Sequence, residues 1–179
     1  MLRIGSILPT LLLSLMLAAN ALAQERVVDG WLVMEEVNPL TDAVDAYIVM
    51  GADPRVSNIA HFDTFLVIEC LSEVLHVSIV WVLPYEDDTS VFMQTRIGDA
   101  EAQSEAWGLA SAGGESMVTY YLGDNVDLVE QLLTADRFVA AIHPSRSIQQ
   151  LAVFDITGMT EAIVPVIDAC AMPFARHIN

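Results

Sequence analysis

The chain has 179 residues, 54% of them hydrophobic, and it sets 24 acidic residues against 7 arginines with no lysine. At this length one domain is the default, with apolar content sufficient for a real core. A formal charge of −17 repels phosphate backbones and anionic lipid headgroups, which argues against nucleic acid as a partner and fits an acidic, solvated surface.

Residues 1–23 have the three parts of an export signal. Arg3 supplies the basic start, an apolar run follows through Leu11-Leu12-Leu13-Ser14-Leu15-Met16-Leu17-Ala18-Ala19, and Ala21-Leu22-Ala23 offers small side chains at alternate positions. Cleavage after Ala23 is expected, leaving Gln24 first and a charge of −18, from 6 basic and 24 acidic residues. The run is shorter than a membrane span and no later run approaches one, so no stable membrane insertion is expected after cleavage. The reading is one β-rich domain over 24–172 and a short polar tail at 173–179.

The pattern then predicts a series of strands with two late helices. Val27 to Met34 reads as a strand carrying Trp31, and Asn38-Pro39-Leu40-Thr41-Asp42 as a turn, since Pro fixes φ while Asn and Asp bond the backbone locally. Ala43 to Met50 is a second strand. Phe62 to Cys70 follows with Thr64, Leu66, Ile68 and Cys70 on one face. Val74 to Leu83 sets Val77, Ile79 and Trp81 against His76, Ser78 and Val80, and Thr89 to Ile97 sets Val91, Met93 and Thr95 against Phe92, Gln94 and Arg96. These last three segments read as an antiparallel meander.

Ala102 to Ser111, with Trp107, and Met117 to Leu122 continue the strands. Asp124 or Asn125 caps a helix whose stripe is Leu128, Val129, Leu132 and Leu133. Asp136 to His143 and Ile148 to Ile156 form a hairpin across Pro144-Ser145-Arg146. Thr157-Gly158 opens the last helix, with Ala162, Ile163, Val166, Ile167 and Cys170 on its apolar face and Pro165 bending its axis. The architecture that satisfies these signals is an antiparallel β-sandwich or half-open barrel with the helices packed over one side or end.

Cys70 and Cys170 are the only cysteines, and in an oxidising compartment a lone pair forms a disulfide. Closing a 100-residue loop stabilises a fold by up to about 4–5 kcal/mol on the chain-entropy model. The bridge would pin the last helix onto the end of a central strand.

No catalytic constellation emerges. Gly-x-Ser-x-Gly, H-E-x-x-H and Walker sequences are missing, and His61, His76, His143 and His177 fall in separate segments without ligand spacing. No metal and no cofactor is expected. Glu86-Asp87-Asp88 lacks the spaced oxygens of a calcium loop and reads as a solvated turn. Arg96 either recognises a carboxylate or pairs with one of the many acids. Glu35-Glu36 with Asp42 and Asp45 invites a paired-carboxylate reading for glycan cleavage, with Trp31, Trp81 and Trp107 as a sugar platform. Against it stand solvent-facing acids and core tryptophans.

The order of landmarks resembles one family. Trp31 precedes Asn38-Pro39-Leu40-Thr41-Asp42. A strand ending in Cys70 leads to Ile79-Val80-Trp81, then to Gln94-Thr95-Arg96-Ile97-Gly98 and Glu105-Ala106-Trp107. Leu132-Leu133-Thr134-Ala135-Asp136-Arg137-Phe138, Phe154-Asp155-Ile156-Thr157-Gly158 and Asp168-Ala169-Cys170 close the series. This looks like the VasI/TagO family, exported accessory proteins associated with the type VI secretion system. The family's closing aromatic is displaced here, since Ala171-Met172-Pro173-Phe174 follows Cys170. The resemblance implies a non-enzymatic accessory, periplasmic or secreted in a Gram-negative bacterium, with a protein partner in the cell envelope such as a type VI secretion component. It carries over no catalytic residue. The Asn38–Asp42 turn is the candidate partner-contact loop, because packing does not dictate loop side chains. The alternative is a cell-wall glycan-binding protein or hydrolase.

Overall fold

The computed structural model describes residues 24–58, 64–82, 89–113, 116–143 and 149–172. The expected export signal, the polar tail, His61, His177, Glu86-Asp87-Asp88 and the Pro144-Ser145-Arg146 turn lie outside these residues. The first expected strand is in fact a hairpin. β1 (Gln24–Val28) and β2 (Trp31–Val37) pair antiparallel, with Val28 opposite Trp31. Asp29 and Gly30 between them both have positive φ, 47° and 89°. A two-residue turn of this hand matches the right-handed strand twist, and Asp-Gly is among the sequences that adopt it.

β3 (Val44–Gly51), β4 (Phe65–Leu71) and β5 (Val74–Trp81) add on in succession. Their register sets Ala46 beside Cys70 and Leu75, and Ile48 beside Ile68 and Val77. All six are buried, as the two-residue alternation requires. Ser72 and Glu73 turn the chain between β4 and β5 with positive φ, and the Ser72 N–H donates to the Asp45 carboxylate at 2.8 Å.

The remaining strands are β6 (Ser90–Ile97), β7 (Gln103–Gly113), β8 (Ser116–Tyr121), β9 (Arg137–Ile142) and β10 (Gln150–Asp155). All ten form one antiparallel sheet in the order β1-β2-β3-β4-β5-β8-β7-β6-β9-β10. The expected β4-β5-β6 meander therefore stops at β5. β8 takes the place beside β5, and β6 lies between β7 and β9. β6, β7 and β8 form their own meander, which docks by its last strand. The inward row Val91, Met93, Thr95 suits either neighbour, because a strand's face pattern does not encode which backbone it pairs with.

The sheet curls until the far edge of β10 meets the segment that follows β3. The Asp53 N–H donates to the Val153 carbonyl at 2.8 Å, Asn58 and Leu151 exchange two backbone bonds, and the Ser57 hydroxyl accepts from the Val153 N–H. Arg55 donates to both Asp53 carboxylate oxygens at 2.9 and 2.7 Å and holds that carboxyl down at about 2. The sheet remains open, so the half-open form holds and a closed barrel does not.

Helix α1 (Asn125–Leu132) begins at Asp124, whose carboxylate accepts from the N–H groups of Val126 and Asp127. It buries Leu128, Val129 and Leu132 and packs on β5. The expected bent last helix is two short ones, α2 (Met159–Ala162) and α3 (Val164–Ala169), which meet at Ile163. Pro165 sits in the first turn of α3, where its missing N–H leaves no helical bond unmade. α3 packs on β3 and β4 and α2 on β2. Cys170, at the end of α3, is bonded to Cys70 with the Cα atoms 5.6 Å apart. No helix among the described residues is long and apolar enough to cross a membrane.

Candidate functional site

The Asn38–Asp42 loop is held by its own backbone. The Asn38 N–H reaches the Ala43 carbonyl at 2.8 Å, and the Asn38 carbonyl accepts from Thr41 and from Asp42. The Asn38 side chain accepts from the Leu40 N–H at 2.9 Å, and the Thr41 hydroxyl from the Ala43 N–H at 3.3 Å. Asp42 closes the loop in the left-handed region at φ 57°, which Asp tolerates better than most residues. Asn38, Thr41 and Asp42 thus shape the turn. Leu40 takes no part with its side chain and is 92% exposed.

The tryptophan platform does not exist. Trp31, Trp81 and Trp107 are each at most 1% exposed and belong to the core. The Trp31 indole N–H donates to the Thr157 carbonyl at 3.3 Å, and that of Trp81 to the Thr119 hydroxyl at 3.0 Å. The acids of the paired-carboxylate reading also have separate duties. Glu35 bonds Arg26 at 2.7 Å, Asp45 holds the Ser72 N–H, and Asp42 belongs to the loop. Glu36 stands opposite Asp45 across the β2–β3 ladder. Arg96 uses its Nε to donate to the Ala100 carbonyl at 2.9 Å, where it shapes the turn after β6.

One titratable row crosses the sheet: Tyr47, Glu69 and His76 are successive partners on β3, β4 and β5. Burial pushes the Glu69 carboxyl above its ordinary value, while the adjacent His76 pulls it down and Asp45 pushes it up again. Burial likewise raises Tyr47, helped by Asp45, Glu69 and Glu36. His143 is exposed at the end of β9. Among the described residues no group of three or more His, Cys, Asp or Glu side chains is placed to hold a metal ion.

The structure also forms a cleft that sequence reasoning missed, between the β6–β7 connection and α1. Its inner recess, about 50 Å³, is lined in part by Glu101, Glu105, Trp107, Tyr121, Leu128 and Gln131. A more open groove of about 360 Å³ shares Ile97, Ala100 and Gln131 with it and extends past Asp99 and Asp136. The Tyr121 ring lies 5.2 Å from that of Trp107 at 56°. Burial raises the Tyr121 phenol, and so does the negative charge of Glu105. The signal available in the sequence was the inward row of β7. It passes from Leu109 and Trp107 to Glu105 and Gln103, so the core gives way to a polar mouth along one strand face.

No family model, curated protein or solved structure matches the chain.

Proposed function

We propose that the protein is a non-enzymatic accessory of the cell envelope that works by holding a protein partner, as its resemblance to the VasI/TagO family implies, with a type VI secretion component as that partner. The observation that carries this reading is Leu40, a large apolar side chain 92% exposed on a loop stitched by its own backbone and polar side chains. An apolar anchor on a preorganised turn loses little entropy when it docks. The Cys70–Cys170 bridge supports an oxidising compartment as the place of work.

The test uses a photo-crosslinking residue at position 40 in the exported protein, followed by mass spectrometry of the adduct. The same strain, deleted for the gene and complemented with Leu40→Ala, is assayed for release of secreted effectors. The expected result is an adduct with a secretion component and loss of release at unchanged melting temperature. A Leu40→Ala strain that secretes normally, with no adduct at position 40, overturns the reading.

A further inference from the structure

We infer that the recess between the β6–β7 connection and α1 binds a compact organic ammonium group that carries a neighbouring hydrogen-bond acceptor such as a hydroxyl. This inference does not depend on the partner proposed above. Trp107 is 1% exposed and lines the recess, and its indole N–H has no hydrogen-bond partner, whereas the other two indoles are satisfied inside the protein. A buried donor left unmade costs about 1–3 kcal/mol, so the site gains by admitting an acceptor.

Charge sets the rest of the ligand. Glu101 and Glu105 line the recess, Asp99 and Asp136 line the groove, and among the described residues no basic side chain lines either part. Arg137 lies 3.7 Å from the fully exposed Asp99 of the groove. An anion entering the recess meets the carboxylates of Glu101 and Glu105, while an ammonium group is attracted to them. The half-buried Tyr121 ring, tilted at 56° against Trp107, offers π-density to the same cation. Size then favours a small head group. The recess of about 50 Å³ admits only a few heavy atoms, and the adjoining groove takes whatever the head group is attached to. A water molecule alone would satisfy the indole. Selectivity for a cation over a neutral polyol therefore distinguishes a ligand site from a hydration site.

The experiment is a titration of the ¹⁵N-labelled mature chain, followed by the three indole N–H signals at constant pH and ionic strength. Trp107→Phe assigns the relevant signal, and the Trp31 and Trp81 signals report an intact core. Ethanolamine should move the Trp107 signal saturably, with half-saturation in the millimolar range, and leave the other two in place. Ethylene glycol and acetate should give no saturable shift over the same range. Glu105→Gln should weaken ethanolamine binding at least tenfold. If that variant perturbs the Trp31 and Trp81 signals, Glu101→Gln replaces it, with a several-fold loss expected. A linear, unsaturated response overturns the inference, as does equal binding of ethylene glycol or undiminished affinity in a carboxamide variant that remains folded.

Discussion

The Tyr120 ring lies across the Cα of Gly108, its cross-strand partner between β7 and β8, and leaves no room there for a Cβ. The ring covers buried backbone while remaining 39% exposed itself. A glycine paired with an aromatic in this way keeps both the ladder and the burial that a bare glycine would forfeit. Gly108→Ala should swing the ring into solvent and cost about 1 kcal/mol, and Tyr120→Ala should cost a similar amount. Since both changes remove one contact, the double mutant should lose less than the sum. Urea unfolding of the four proteins measures the coupling, and strict additivity would count against the contact.

The disulfide makes a larger prediction. Cys70 lies in β4 of the buried sheet and Cys170 ends α3, 100 positions away. Cys170→Ser should cost about 2–5 kcal/mol. Because α3 lies on β3 and β4, the first region to lose amide-exchange protection on reduction should be 159–172. Unfolding midpoints with and without reductant, with hydrogen exchange on the reduced protein, check both parts.

Glu69 links stability to pH. Its carboxyl is raised in the folded protein, mainly by burial, so the folded state holds its proton more tightly than the unfolded state. The stability this proton confers is complete below the ordinary carboxylate value of about 4.3 and is lost as pH rises through the raised folded value. Glu69→Gln should therefore flatten the fall in stability over that window and leave the protein at least as stable as the parent at pH 7. Urea midpoints between pH 4 and 7 test this, and an unchanged slope in the variant would contradict it.

The cap of α1 gives a local test. The Asp124 carboxylate satisfies two N–H groups of the first turn, at 2.9 and 3.3 Å. Asp124→Ala should cost about 1 kcal/mol and Asp124→Asn much less. Thermal melts of the two variants should differ by several degrees.

Much of the fold was legible because it depends on neighbours in the chain. Alternation over 64–70 and 77–81 named the inward rows, and the i, i+3, i+4 spacing of Leu128, Val129 and Leu132 named a buried helical face. Asp124 could be read as a cap and the lone cysteines as a bridge. The Asp29-Gly30 hairpin is equally legible as a turn pair, but Val27, Val28 and Trp31 to Met34 look like one apolar run and mask it. Pro165 predicts a bend within one helix, yet the chain ends one helix at Ile163 and starts another with the proline in its opening turn.

Tertiary structure alone decided which strands are neighbours. The face pattern of β6 is the same beside β5 as beside β7 and β9, since side chains report the face of a strand while backbone groups make the pairing. That choice of neighbours brought Glu105 and Trp107 on β7 beside Tyr121 on β8 and under α1, and so made a cleft from residues with no motif between them. Exposure was decided in the same way. Three tryptophans that sequence allows as a platform lie inside the sheet, while Leu40 stands in solvent. Local pattern thus determined elements, inward faces, cap and bridge. Long-range pairing determined the strand order and the cleft, because contacts between distant segments are set by how the whole sheet curls.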